Sequence, residues 1–437
     1  MQDSTRRSFL HAGASIAIAT QARPILGAND RVNVAVIGLG GRGNNHMDYY
    51  LKIDSCQIAA LCDVNQAALE RGQAKVERGG APKPKGYADM KAIFDDKSID
   101  AVSFATPNHW HALGSIWAMQ AGKDVYCEKP ASHNIWEGYQ MTAAARKYGR
   151  MLQIGSQSRS IPHKVRAMQL LHEGVIGKVY MAKGLCFKRR KSIGKAPDTP
   201  VPAGVNWDLF LGPAPMRPFN ELRFKYNWHW FWDTGNGDIG NQGVHETDIL
   251  LWGLGKTALP DKVFSMGGKL VYDDDQETPN TQMVTYEWND GTVAQFEVRG
   301  LITGSEGGIG KPGANKVGNL FYGSDGWMAV DSQGFQVYKG EKEEKVMDEG
   351  RQGAGEWETV PHMRNFLDAV RSRKHQDLKA DIEIGARAAA MAHFGNVSYR
   401  VGKKLTWNEA ARKFDDAEAN KLLSRDYRKP YVVPEIA

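Results

Sequence analysis

Hydrophobic and polar positions change their rhythm along this chain, and the changes separate its parts. Residues 32–37 read Val-Asn-Val-Ala-Val-Ile, a nearly unbroken apolar run of the kind needed by a strand covered on both faces. Short runs of the same character recur at residues 57–62, 101–105, 124–126 and 151–154, spaced widely enough for crossover helices. Such alternation predicts a parallel α/β sheet with helices on both faces. Further along, residues 263–270, 282–288, 292–299 and 319–330 have strand composition, and Asn289-Asp290-Gly291 is a hairpin signal between two of them. These predict a second, α+β domain with a large, mostly antiparallel open sheet. Residues 362–373 and 382–401 carry helical periodicity and are expected to pack beside the first domain.

The first 28 residues follow a different pattern. Ser4-Thr5-Arg6-Arg7-Ser8-Phe9-Leu10 precedes a mildly apolar stretch at 12–19, which is the twin-arginine export pattern. The expectation is export of the folded protein to the periplasm or an equivalent space, with cleavage near Ala22 or Ala28. Residues 1–28 are therefore set aside as a signal, leaving residues 29–155 and 156–437 as the two expected domains.

Composition narrows the partners. A chain of 437 residues, 42% hydrophobic and 24% charged, can bury the cores of two domains. Its net charge of +6 is spread over 56 basic and 50 acidic residues, which excludes the concentrated basic stripe of a nucleic-acid binder. No apolar run reaches the roughly 18 residues of a transmembrane helix. Cys56, Cys62, Cys127 and Cys186 show neither metal-ligand nor disulfide-framework spacing.

The run at 32–37 leads into Gly38-Leu39-Gly40-Gly41-Arg42-Gly43, a GxGxxG at the entry to a helix. The next strand ends at Asp63, where a carboxylate would accept from both hydroxyls of an adenosine ribose and repel a 2′-phosphate. Together these predict a Rossmann domain that binds NAD in preference to NADP, with Arg42 the one residue that would soften the preference. Ligands of such sheets bind beyond the carboxyl ends of the strands. Three stretches stand there: Thr106-Pro107-Asn108-His109-Trp110-His111, Cys127-Glu128-Lys129-Pro130, and Gly155-Ser156-Gln157-Ser158-Arg159.

The order and spacing of GLGGRG, CDVN, TPNHWH and CEKP resemble the glucose-fructose oxidoreductase and inositol dehydrogenase family, Gfo/Idh/MocA. Residues 206–215 and the GxHxxD of Gly243, His245 and Asp248 are similar to that family's second-domain landmarks. The resemblance implies that Thr106, Pro107, Asn108 and His111 line the cofactor, that Glu128 borders the nicotinamide side, and that Lys129 meets the reacting hydroxyl. Gln157 joins the cofactor-binding set, and a dimer or tetramer is implied. The family's second catalytic element is usually an aspartate four residues before a histidine. Here the histidine is His245 and the matching position is Asn241, an amide that orients by hydrogen bonds but takes no proton. The expectation is that Lys129 and His245 share the proton work, with Asp238 a possible spatial substitute.

A lysine beside a cationic nicotinamide and partly desolvated has a lowered pKa, which suits a base for a secondary alcohol. Trp228, Trp230 and Trp232, beside His229 and Asp233, suit the faces of a sugar ring or the packing of a core. The basic stretch 187–195 reads as a surface turn or an anion site, and the glycine-rich stretch 304–318 as a loop or lid. Two function classes follow: an NAD-dependent oxidoreductase acting on a sugar, glycoside or cyclitol, and a redox-assisted glycosidase similar to glycoside hydrolase family 109.

Overall fold

The computed structural model describes residues 31–350 and 359–436, so the twin-arginine segment lies outside the described residues. The first sheet contains β1 (Val32–Ile37), β2 (Cys56–Cys62), β3 (Lys85–Tyr87), β4 (Ala101–Phe104), β5 (Asp124–Cys127) and β6 (Leu152–Ile154). All pairings are parallel, in the order β3-β2-β1-β4-β5-β6. Consecutive strands therefore leave β1 in opposite directions, and the crevice between the carboxyl ends of β1 and β4 is the switch point where ligands of such sheets bind. Only the short edge strand β3 was absent from the apolar pattern, because Lys85-Gly86-Tyr87 is mostly exposed.

The second sheet contains β7 (Val179–Phe187), β8 (Lys262–Gly268), β9 (Thr281–Glu287), β10 (Val293–Arg299), β11 (Lys316–Gly323), β12 (Gly326–Asp331), β13 (Gly334–Lys339), β14 (Glu344–Gly350), β15 (Leu405–Asn408) and β16 (Lys413–Phe414). Their order is β14-β13-β12-β11-β7-β10-β9-β8-β15-β16. β7 runs parallel to β10, and the other pairings are antiparallel. The single strand expected at 319–330 is a hairpin, β11 and β12, because Gly323-Ser324-Asp325-Gly326 has turn composition. The central strand β7 escaped the pattern because Lys183 and Gly184 interrupt it. Lys183 is paired with Glu297 and Glu306, and Gly184 lets Phe296 approach closely.

Two helices join the layers. The helix Thr359–Ser372 lays Met363, Phe366 and Leu367 on the β1 side of the first sheet. The helix Ile382–Val401 passes Gly385 against Ile154 of β6 and Gly395 against Val284 and Tyr286 of β9. Its own hydrophobic residues are buried nearly all round, as expected of a helix packed between sheets.

Candidate active site

A cleft of about 780 Å³ opens at the switch point. Its floor is the glycine turn after β1. Gly38 has φ 84°, a left-handed conformation that glycine adopts without strain, and a Cβ there would lie 2.9 Å from the Ala105 carbonyl. A Cβ on Gly43 would lie 1.8 Å from the Gly38 oxygen, so that glycine seats the first helix on the turn rather than facing the cleft. Gly40 and Gly41 face the cleft with no atom within 4 Å of where a Cβ would stand.

At one end of the cleft Asp63 accepts from the Leu39 amide at 2.7 Å and the Asn65 amide at 2.8 Å. Burial raises its pKa against the pull of those amides and of Arg71. Arg71 acts on this carboxylate, whereas Arg42, which also lines the cleft, donates from Nε to Glu128 at 2.7 Å. The expectation that Arg42 tunes the ribose site is therefore corrected: its guanidinium is held at the Lys129 end. Thr106, Pro107 and Asn108 line the cleft wall, where the Thr106 hydroxyl is buried with no hydrogen-bond partner among the described residues. Asn108 donates to Asn236 Oδ1 at 2.8 Å. An open glycine turn, a terminal carboxylate and an unpartnered buried hydroxyl fit a dinucleotide.

At the other end stand Glu128 and Lys129. Glu128 is 4% exposed and receives donors from Arg42, from His46 Nε2 at 3.0 Å and from Gln157 at 3.1 Å. Burial would raise its pKa, but Arg42, His46 and Lys129 outweigh it and hold the carboxylate well below its usual range. Gly155 makes room for this group, since a Cβ there would lie 2.8 Å from the carboxylate. Lys129 Nζ donates to the Asn241 carbonyl at 2.7 Å and lies 3.4 Å from its Oδ1. Burial pushes the lysine down to about 8; Glu128 opposes the shift, and Arg42 and Lys188 reinforce it.

Several expected residues stand elsewhere. His111 does not line the cleft: its ring is buried between the Pro130 oxygen at 2.7 Å and the Thr106 oxygen at 2.9 Å, where it braces the wall. Gln157 and His245 line a second cavity of about 730 Å³, with Lys164, Lys188, Gln242 and Glu246. Burial and the charge of Lys129 hold His245 well below its ordinary pKa. The structure thus places Lys129 and Asn241 on the cleft and His245 behind it. Asp238 does not replace the missing aspartate, because Arg190 holds it by two bonds of 2.8 and 2.7 Å. Asp248 is paired with Arg159 at 2.7 Å and anchors its helix.

The roof of the cleft comes from the second domain, and of it only the stretch around Trp228 and His229 was singled out from the sequence for a sugar ring. Residues 64–66 and 204–206 form a short bridge, with Gln66 N to Gly204 O at 2.9 Å and Asn206 N to Val64 O at 2.8 Å. Beyond it Leu209, Phe210, Phe224, Tyr226, Trp228 and His229 line the cleft. The tryptophan stretch forms a short helical turn, Asn227–Trp230. Trp228 stacks on His229 with ring centroids 3.6 Å apart, and His229 Nδ1 donates to the Tyr226 main-chain carbonyl at 2.5 Å, leaving Nε2 as an acceptor. Burial lowers the His229 pKa to about 3. The glycine-rich stretch lines the second cavity instead of covering the cleft, and is pinned there by buried Ile309. In the basic stretch Arg190 pairs with Asp238 and Lys195 with Asp273, while Lys188 donates to Gln242 and lines the second cavity. All four cysteines are free and buried.

Comparison with known proteins agrees with this geometry. Residues 32–156 match the Gfo/Idh/MocA oxidoreductase family, NAD-binding Rossmann fold, and residues 142–301 and 331–433 match its C-terminal α/β domain. The chain belongs to that family. Among solved structures it is similar to a levoglucosan dehydrogenase in complex with NADH and levoglucosan, with TM-score 0.67, 17% identity, and coverage of 86% of this chain and 99% of that one. It is also similar to the WlbA dehydrogenase of Bordetella pertussis in complex with NADH and UDP-GlcNAcA, with TM-score 0.65, 18% identity, and coverage of 86% and 99%. At these identities the likeness is one of fold. A glycosyl hydrolase family 109 protein of Saccharopolyspora erythraea is 30% identical over 218 residues, 48% of this chain and 42% of that protein. The chain thus spans less than half the length of that relative. No described helix is long and apolar enough to cross a membrane.

Proposed function

We propose that the protein oxidises a secondary hydroxyl of a sugar, glycoside or cyclitol, with NAD held in the switch-point cleft. The observation that carries this reading is Lys129: an amine with pKa about 8 that lines the same cleft as the glycine turn and Asp63. NAD, when bound, supplies the hydride acceptor. Neutral Lys129 takes the hydroxyl proton, Glu128 beside it stays ionised, and the Trp228–His229 stack offers an apolar face with an acceptor nitrogen to the ring. Carbohydrate ligands in the structures of the two dehydrogenases support the substrate class.

The test is mass spectrometry of products from a panel of sugars and glycosides incubated with the purified protein. Loss of two hydrogens from the ring supports oxidation. Release of aglycone with no net change in NADH would replace this reading by the glycosidase one, in which oxidation at C3 acidifies the neighbouring C2 proton and elimination follows.

Cofactor choice gives a second expected result. With Asp63 at the ribose end, the protein should bind NAD more tightly than NADP. Asp63→Ser should relax that preference, since it removes the carboxylate that repels a 2′-phosphate and leaves Arg71 to receive one. Tighter NADP binding by the unaltered protein, measured by fluorescence titration, would contradict the assignment.

The twin-arginine pattern at residues 4–10 supports export in the folded state. Exposed Phe264, Met266 and Met283 on β8 and β9 support association of the second sheet with another copy of the chain.

A further inference from the structure

We propose that Tyr226 is a second substrate-contacting catalytic residue, whose hydroxyl donates a hydrogen bond to the same oxygen that Lys129 deprotonates; this rests on the oxidoreductase reading above. Tyr226 lines the cleft with Lys129 and is 50% exposed. Its oxygen accepts from Arg190 Nη1 at 3.1 Å and from Asn241 Nδ2 at 3.1 Å. A phenol oxygen has two lone pairs and one proton, so both acceptor sites are filled and the O–H is the bonding capacity left over. No hydrogen bond to a described residue uses it. The free donor therefore faces the cleft.

Three features hold it in that state. Arg190 is fixed by its paired bonds to Asp238 and lies 5.1 Å above the Trp230 ring. Asn241 is oriented by its neighbours, with Nδ2 3.3 Å from the Asp238 carboxylate and Oδ1 on the side of Lys129. Flipping the amide would set its oxygen against that carboxylate and lose the bond to Tyr226. Finally, Lys225 has φ 52°, a left-handed conformation rarely adopted by a non-glycine residue, at the position preceding Tyr226.

Asn241 thereby acquires a function that suits an amide. It accepts from Lys129 through its main-chain oxygen and Oδ1 and donates to Tyr226 through its side-chain nitrogen, so one residue registers both groups against a substrate. In the oxidation the hydroxyl proton passes to neutral Lys129, the C–H bond breaks with its electron pair as hydride to the nicotinamide, and C=O forms. Tyr226 keeps its own proton throughout. Its hydrogen bond, backed by the Arg190 cation, strengthens as charge builds on the oxygen, which is the condition for lowering the barrier rather than merely binding.

The test is Tyr226→Phe, which removes one oxygen and keeps the ring. The expected result is a fall in kcat of about 100-fold with KM little changed and nucleotide content after purification equal to wild type. Turnover within about threefold of wild type would overturn the proposal. Loss of nucleotide along with turnover would also overturn it, by assigning the phenol a structural role. A wild type that retains nucleotide but oxidises no carbohydrate would sink the oxidoreductase reading and this proposal with it, whereas an active wild type beside an equally active variant sinks this proposal alone.

Discussion

Replacing Lys129 with alanine is expected to lower turnover at least about 100-fold while nucleotide binding stays nearly intact, because acid-base groups contribute on that scale. The Lys129 side chain lines the cleft, and among the described residues its amine hydrogen-bonds to Asn241 alone. The binding elements, the glycine turn and Asp63, are held by bonds that do not involve it. Oxidation needs the neutral amine. With a pKa of about 8, turnover of the unaltered protein should therefore rise as pH passes upward through about 8, and the Lys129→Ala residual rate should lack that rise. His245→Ala should have a smaller effect. A dead histidine variant beside an active lysine variant, measured as kcat over pH 6–10, would reverse the two assignments.

What could be read from the sequence was what local chemistry determines. The glycine turn, Asp63 and the Glu128-Lys129 pair each sit at a strand end, and one strand followed by its exit loop is enough to recognise them. The helix Ile382–Val401 was read to its boundaries because twenty residues without a proline end at Gly402, which adopts the left-handed cap. The environment of Lys129 was not legible, because its partner Asn241 lies 112 residues away and meets it only when two domains close. Tyr226 and the bridge at 204–206 depend on the same closure. Sequence also misdirected assignments, Arg42 among them: it stands within the glycine motif, which suggested a ribose contact, but the first helix carries its guanidinium to Glu128. A buried carboxylate far along the chain decided where that arginine goes.

The roof has the largest consequence for how the cofactor is used. Residues 204–206 are bonded to residues 64–66 next to Asp63, and His109 and Trp110 bond to the oxygens of Phe210 and Leu209 at 2.9 and 3.0 Å. Beneath them Trp207, Phe210 and Phe219 form a buried cluster against Val64 of the first domain. Lifting this strap would expose those rings, at about 1.5–3 kcal/mol for each one fully uncovered, and would break the bridge as well. If a dinucleotide lies under it, release is expected to require that opening and to be slow, and release governs most differences in affinity. If the chain is exported folded, the cofactor is loaded in the cytoplasm and carried into a space where free NAD is not replenished, and it must return to its starting state within each cycle. A second sugar that accepts the hydride, or re-reduction of the same ring after elimination, would achieve this. The purified protein is therefore expected to carry nucleotide with none added, visible as absorbance at 260 nm and released on denaturation, and to turn over without external NAD. Recovery of cofactor-free protein that consumes NAD stoichiometrically would show that the strap opens freely, and would remove the support that retention lends to export.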